Sequence, residues 1–276
     1  MLLNILMLGD IVGRPGRAVV CRRLPELIAA RRADFVVANA ENISEGSGIT
    51  PPLFAKLLEA GVDVCTMGDH AFRRRESYGL YETSPRIVRP ANLPEGSIGK
   101  GLTVMPTKAG VPVAVAALMG QTYMKPTPDS PFGCADRLLA GLPADVKVRL
   151  FDFHAEITAE KVAFGRYLDG RVSAVVGTHT HVPTADETVL PGGTAYVTDL
   201  GMSGPHDSVL GRRTDRVVKS LATGMPQAYD VAEGDPRITG VHVRVDADTG
   251  RAVHIERFQL RDDGSPAAGG APNAEG

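Results

Sequence analysis

Short apolar runs alternate with amphipathic stretches along most of the chain. "LLNILML" (2–8), "DFVVANA" (34–40) and "VDVCTMG" (62–68) read as buried strands. Between the first two, "GRPGRAVVCRRLPELIAARR" has helical spacing with Arg14-Pro15 at its start. Before the third, "TPPLFAKLLEAG" predicts a helix with Thr50 as N-cap, prolines in its first turn and Gly61 at its end. Arg74–Tyr81 is a further helical stretch, and a Pro/Gly-rich loop runs from Ser84 to Gly99. "GLTVMP" and "VPVAVAALMG" predict a hairpin around Lys108–Gly110. Gln121 to Pro131 reads as a loop, "FGCADRLLAG" as a short helix and "VKVRLFDF" as a strand. "TAEKVAFGRYLDG" predicts a helix capped by Thr158, followed by the strands "VSAVVG" and "GGTAYVTDLG" and the helix "TDRVVKSLATG". The last run, "ITGVHVRVDADTGRAVHIERFQL", alternates about an Asp-Thr-Gly turn, the pattern of an antiparallel hairpin.

Parallel β/α units joined to hairpins predict a mixed α/β protein with one domain over residues 1–260. The tail "DDGSPAAGGAPNAEG" is small and polar, so a disordered segment is expected over 261–276. The chain has 276 residues, 43% of them hydrophobic, and a net charge of -2, which gives no strong electrostatic footprint for nucleic acid. Three scattered cysteines without a CxxC argue against a disulfide framework or a Cys-based zinc site. The apolar N-terminus lacks a basic n-region, and no apolar run approaches the ~20 residues of a membrane helix. A cytoplasmic protein without a membrane partner is the expectation, and self-association into a homo-oligomer stays open.

The strand ends change this picture. The first apolar run closes on Gly9-Asp10, the second on Glu41-Asn42 and the third on Gly68-Asp69-His70. "VKVRLFDF" closes on His154-Ala155-Glu156, and "VSAVVG" leads to His179 and His181. In extended chain that last pair, at i and i+2, would point to one side. Each strand thus delivers a metal-competent side chain at its C-terminal end, the edge where α/β sheets build ligand sites. Three carboxylates, a carboxamide and three imidazoles suit Mn, Fe, Zn or Co. A single catalytic ion usually takes three protein ligands, so this set is large enough for two ions flanking a phosphoryl group.

Taken singly, each residue has an ordinary alternative. Asp10 could cap a helix, Glu41-Asn42 could form a surface turn, and His154 could be a satisfied core histidine. His206 reads as a turn residue, while His242 and His254 fall on the last hairpin, on a solvated or partner-facing side. Arg73–Arg75 reads as a solvated helix start near His70, and Arg89 and Asn92 either touch substrate or fix their loop. "GDIVGRPG" lacks dinucleotide spacing, and neither a GxSxG elbow nor a Cys–His pair supports covalent catalysis.

In order along the chain, "GDIVGRPGR", "AENISEGSGIT", "TMGDHAF", "VRPANLPEG", "DFHAEITAEK", "VVGTHTHVPTAD" and "GGTAYVTDLGMSGPHDS" closely resemble the YmdB family of bacterial metallophosphoesterases. The likeness spans about residues 1–260. It implies a calcineurin-like, metallo-dependent phosphatase fold, an α/β four-layer αββα sandwich. It also implies a dinuclear centre of divalent or trivalent transition-metal ions, iron or manganese first and zinc next, that hydrolyses cyclic nucleotides or related small phosphodiesters by attack of a bridging hydroxide. Carried over by motif, Asp10 and His181 would hold the first metal with Asn42 nearby. Glu41 would bridge, and Asp69, His154 and His179 would hold the second. His70 would act on the leaving oxygen without binding metal. The family pattern reads Gly-Asn-His where this chain has Gly68-Asp69-His70. The added carboxylate predicts tighter metal binding, weaker Lewis acidity and slower turnover than an Asn would give.

Two other readings stand beside the phosphodiesterase. An amidohydrolase-type TIM barrel also uses an HxH pair, although on its first strand. A regulatory protein with a weak or vestigial metal site would sense a nucleotide and act through a protein partner.

Overall fold

A computed structural model of the chain describes residues 1–267. Two sheets stack face to face, each with helices on its outer side. The first half supplies β1 (Leu2–Leu8), β2 (Asp10–Ile11), α1 (Gly13–Arg31), β3 (Phe35–Asn39), α2 (Pro51–Glu59), β4 (Val64–Thr66), α3 (Tyr78–Thr83) and β5 (Ile87–Val88). Next come β6 (Leu102–Pro106), β7 (Pro112–Met119), α4 (Pro131–Ala140), β8 (Val148–His154), α5 (Thr158–Tyr167) and β9 (Ala174–Thr178). The last part holds β10 (Thr188–Val189), β11 (Ala195–Val197), β12 (Met202–Asp207), α6 (Thr214–Thr223), β13 (Gly234–Asp246) and β14 (Ala252–Arg261).

Strand order in the larger sheet is β2-β12-β13-β1-β3-β4-β5, with β14 also pairing β13; in the smaller it is β10-β11-β9-β8-β7-β6. β1, β3, β4 and β5 run parallel, as do β7, β8, β9 and β11. The period-2 alternation of the strands builds the layers. Leu3, Ile5 and Met7 of β1 meet Val148 and Leu150 of β8 between the sheets. Leu6 and Leu8 point the other way, under α1 and α2, and Phe151 and Phe153 lie under α4 and α5. Phe153 stacks on Phe164 of α5 with centroids 4.2 Å apart. Burying such a side chain contributes about 1.5–3 kcal/mol. This is the four-layer αββα sandwich, and its two separate sheets exclude the barrel.

Several local expectations change. The helix expected at Arg74–Tyr81 is a single 3-10 turn at Arg75–Ser77 leading into α3. Thr158 is the first residue of α5, and Ile157 takes the cap position without a side-chain bond. "MSGPHD" is strand β12, because pairing with β2 and β13 overrides the poor strand propensity of Gly and Pro. His242 is buried, not solvated: Nε2 lies 3.0 Å from Asn4 Oδ1 and Nδ1 3.3 Å from Glu256. Beyond Arg261 the chain folds back, Pro266 bridging Leu260 and the Ala267 amide donating to Gln259 O at 3.1 Å. The rest of the expected tail, 268–276, lies outside the described residues. No helix among the described residues is long and apolar enough to cross a membrane.

Candidate metal centre

The parallel strands of both sheets end at one edge, and their terminal residues meet there. Gly9 lets the chain turn from β1 into β2, since a Cβ on it would come 1.9 Å from Gly201 O. Asp10 then points inward, fully buried, and Val12 rather than Asp10 occupies the N-cap position of α1. Glu41 and Asn42, just past β3, are also buried and form no surface turn. Gly68 is needed beside them, because a Cβ there would lie 2.3 Å from Glu41 Oε2 and from the His154 ring.

His154 is the centre of one group. Its Nε2 lies 3.1 Å from Asp69 Oδ1, 3.0 Å from His179 Nδ1 and 3.4 Å from Glu41 Oε1. One donor atom each from Glu41, Asp69, His154 and His179 fit within 4.8 Å of one another. Ligands about 2.1 Å from a shared ion stand about 3–4 Å apart, so this spacing suits a metal. The far side of each ring fixes its tautomer. His154 Nδ1 lies 2.8 Å from Thr178 Oγ1, whose hydroxyl donates to Asp152 at 2.7 Å. That leaves the Nε2 lone pair facing the cluster. His179 Nε2 sits 3.0 Å from Glu156, which turns Nδ1 inward.

The second group adjoins the first. His181 Nδ1 lies 3.0 Å from Leu210 O, so Nε2 faces Asn42 Nδ2 at 3.1 Å and Asp10 Oδ1 at 3.7 Å. Asp10 Oδ2 accepts the His179 amide at 3.1 Å, while Asp10 Oδ1 is buried without a hydrogen-bond partner. Asn42 joins the groups: its Nδ2 donates to Glu41 Oε1 at 3.0 Å, and its Oδ1 lies 2.8 Å from His70 Nδ1. His70 stands at the rim, a quarter exposed, with Nε2 3.5 Å from Asp69 Oδ2.

The two histidines of "THTH" do not sit on an extended chain. His179 has φ +98° and His181 φ +64°, a region L residues rarely adopt. The chain leaves β9 at Thr178, and the loop sends His179 to the His154 group and His181 to Asp10. Such backbone persists only where the surroundings over-determine it.

The electrostatics call for a cation. Burial, with Glu41 and Asp199 nearby, pushes the Asp10 carboxyl up to about 7 against the pull of His154. Burial also opposes charge on Glu41 and Asp69, yet His154, helped by His70 and His179, holds both well below the usual carboxylate range. Burial alone would lower His154, but Glu41 and Asp69 hold it well above its ordinary value. A metal ion would take over that role, keeping the carboxylates ionised and the imidazole lone pairs free. The orphaned Asp10 oxygen and the converging lone pairs therefore fit a metal.

Other candidates lie outside the centre. Arg89 donates to the carbonyls of Pro90, Ala91, Ser97 and Ile98, and Asn92 to those of Met119 and Asp129, so both fix loops. Arg74 donates to Ser44 O and Ser47 O, pinning the loop after Asn42, while Arg73 and Arg75 are exposed. His206 Nε2 lies 3.1 Å from Met202 O, within β12. Strand-end reasoning left Glu156, Thr178 and Asp152 without tasks. The one signal was a buried acid inside the apolar run "RLFDF".

Known proteins share this architecture. A Bacillus subtilis (strain 168) protein described as a 2',3'-cyclic-nucleotide 2'-phosphodiesterase is 44% identical over 261 residues, covering 95% of this chain and 98% of that one. The crystal structure of a hypothetical protein from Thermus thermophilus superposes with a TM-score of 0.87 at 40% identity, covering 94% of this chain and 99% of that one. That of a novel phosphatase from Mycoplasma pneumoniae gives 0.89 at 31% identity, with 95% and 94% covered. The family model described as YmdB-like protein matches residues 6–258, and with these relatives it shows that the chain belongs to the YmdB-like family.

Proposed function

We propose that this protein is a metal-dependent phosphodiesterase that hydrolyses cyclic nucleotides or related small phosphodiesters. The observation that carries the reading is the convergence of His154 Nε2, His179 Nδ1 and the Glu41 and Asp69 carboxylates beside the unpartnered Asp10 oxygen. Asp69, His154 and His179 would hold one ion, Asp10 and His181 with Asn42 a second, and Glu41 would stand between them. Iron or manganese suits this oxygen and imidazole set best, with zinc next. Bound there, the ions supply Lewis acidity toward the phosphoryl group and the attacking water.

The chain's own residues supply orientation and protons. Thr178, Glu156 and the Leu210 carbonyl set the imidazole tautomers, so each ring offers a lone pair inward. His70 is the proton donor. Burial works against its charge, but the hydrogen bond and charge of Glu41 raise its pKa above the ordinary imidazole value, the direction that suits a proton donor. Its rim position, a quarter exposed, leaves it open to a leaving oxygen. The Bacillus relative's description supports a 2',3'-cyclic nucleotide as the substrate, and a cytoplasmic location is part of the proposal.

The test is metal analysis of purified protein followed by a phosphodiester panel under Mn2+ and Fe2+. Turnover of 2',3'-cyclic nucleotides and bis(p-nitrophenyl) phosphate that stops with chelator supports the reading. Nucleotide binding without turnover at full metal occupancy would instead make the protein a sensor.

A further inference from the structure

The proposed reaction leaves two motif residues unused: Lys161 of "TAEK" and Asp199 of "VTDLG". They form an ion pair at 2.6 Å, with Lys161 2% and Asp199 1% exposed. A buried pair is costly to desolvate and is by itself weak evidence for stability. Its contacts say more. Asp199 Oδ2 also accepts the Thr180 hydroxyl at 2.6 Å and the Thr180 amide at 3.3 Å. Asp199 Oδ1 accepts the Gly201 amide at 2.7 Å, and Gly201 O accepts the Asp10 amide at 3.2 Å. Thr180 lies between His179 and His181, in the loop that leaves the smaller sheet with both histidines at positive φ. Asp10 belongs to the larger sheet. One carboxylate therefore ties the backbone of both half-sites together, and the lysine balances its charge.

We propose that Lys161 and Asp199 are positioning residues: their ion pair clamps the His179-Thr180-His181 loop and, through Gly201, Asp10, so that donors from the two sheets meet at metal-ligand spacing. The inference rests on the metal reading above. Partners that orient ligands typically change metal affinity by about 10–100-fold. Thr180→Val keeps the ion pair and removes the hydroxyl that donates to Asp199 and accepts from Lys161 Nζ at 3.5 Å, whereas Lys161→Met leaves Asp199 uncompensated. Both are compared with the wild-type full chain by Mn2+ titration for affinity and stoichiometry, with thermal unfolding in parallel. Thr180→Val should weaken Mn2+ binding about tenfold with little change in Tm, and Lys161→Met should weaken it further. Wild-type affinity in Thr180→Val, with Lys161→Met lowering only Tm, overturns the proposal and leaves the pair a mere packing element. If Lys161→Met does not fold, the Thr180→Val titration decides alone. A wild type that takes up no Mn2+, Fe2+ or Zn2+ overturns the metal reading, and this inference with it.

Discussion

The strand-end centre and the last hairpin both gather histidines and acids, yet they are built to opposite ends. On the hairpin, both nitrogens of His242 have partners, Asn4 and Glu256, and Glu256 is also taken by Arg31. Neither ring nitrogen of His242 is left to offer a ligand. At the centre, each metal-facing imidazole spends its outer nitrogen on Thr178, Glu156 or Leu210 O and turns the other inward, toward the carboxylates of Glu41, Asp69 and Asp10. Residue type does not separate a binding site from a structural cluster. Unspent lone pairs converging on one point do.

Substitutions can break this contrast. The largest effect is expected from Glu41→Gln and His179→Ala, which remove proposed ligands. Hydrolysis of bis(p-nitrophenyl) phosphate should fall by more than the about 10–100-fold that outer partners cost, with circular dichroism unchanged. Activity retained in both would falsify the metal reading. Next is Thr178→Val, which unfixes His154 and leaves Asp152 without one of its donors. A loss of about 10–100-fold in metal affinity or kcat is expected, readable by metal titration and steady-state kinetics. A smaller, opposite change is expected from Asp69→Asn. Removing one of the crowded carboxylates should raise turnover several-fold and loosen metal binding, consistent with the cost of like charges in one site. Unchanged metal content and kcat would refute that account of the Gly68-Asp69-His70 departure.

The hairpin should answer in stability alone. His242→Phe deprives Asn4 and Glu256 of a partner and should cost about 1–3 kcal/mol in denaturant unfolding, with kcat untouched. The pH dependence has a definite sign. Burial, outweighing the pull of Glu256, holds His242 below its ordinary value, so on acidification the unfolded chain takes up the proton first. The wild type's advantage is therefore complete above about pH 6.5 and shrinks as the pH falls through that value toward the folded pKa. A gap between wild type and variant that widens in acid would contradict this.

Much of the scaffold was legible beforehand. Near-continuous apolar runs such as residues 2–8 and 148–153 identified strands, because a strand between two covered faces needs apolar side chains on both. β12 was not legible, since its Gly, Ser and Pro carry no strand signal and only pairing with β13 and β2 makes it one. At the strand ends the acids and histidines stood out because a polar residue closing an apolar run needs a reason. The backbone that aims them did not: His179 at φ +98° contradicts the extended reading of "THTH".

By itself, then, the sequence determined the strands, the edge at which chemistry-bearing residues collect and the residue types gathered there, since all three follow from local periodicity and side-chain chemistry. Tertiary structure alone decided which nitrogen of each histidine faces inward and which sheet each donor comes from. It also decided that Lys161 and Asp199, 38 positions apart, share one buried contact. Those are relations between segments that meet only when the two sheets pack, and no local pattern encodes a distance across them.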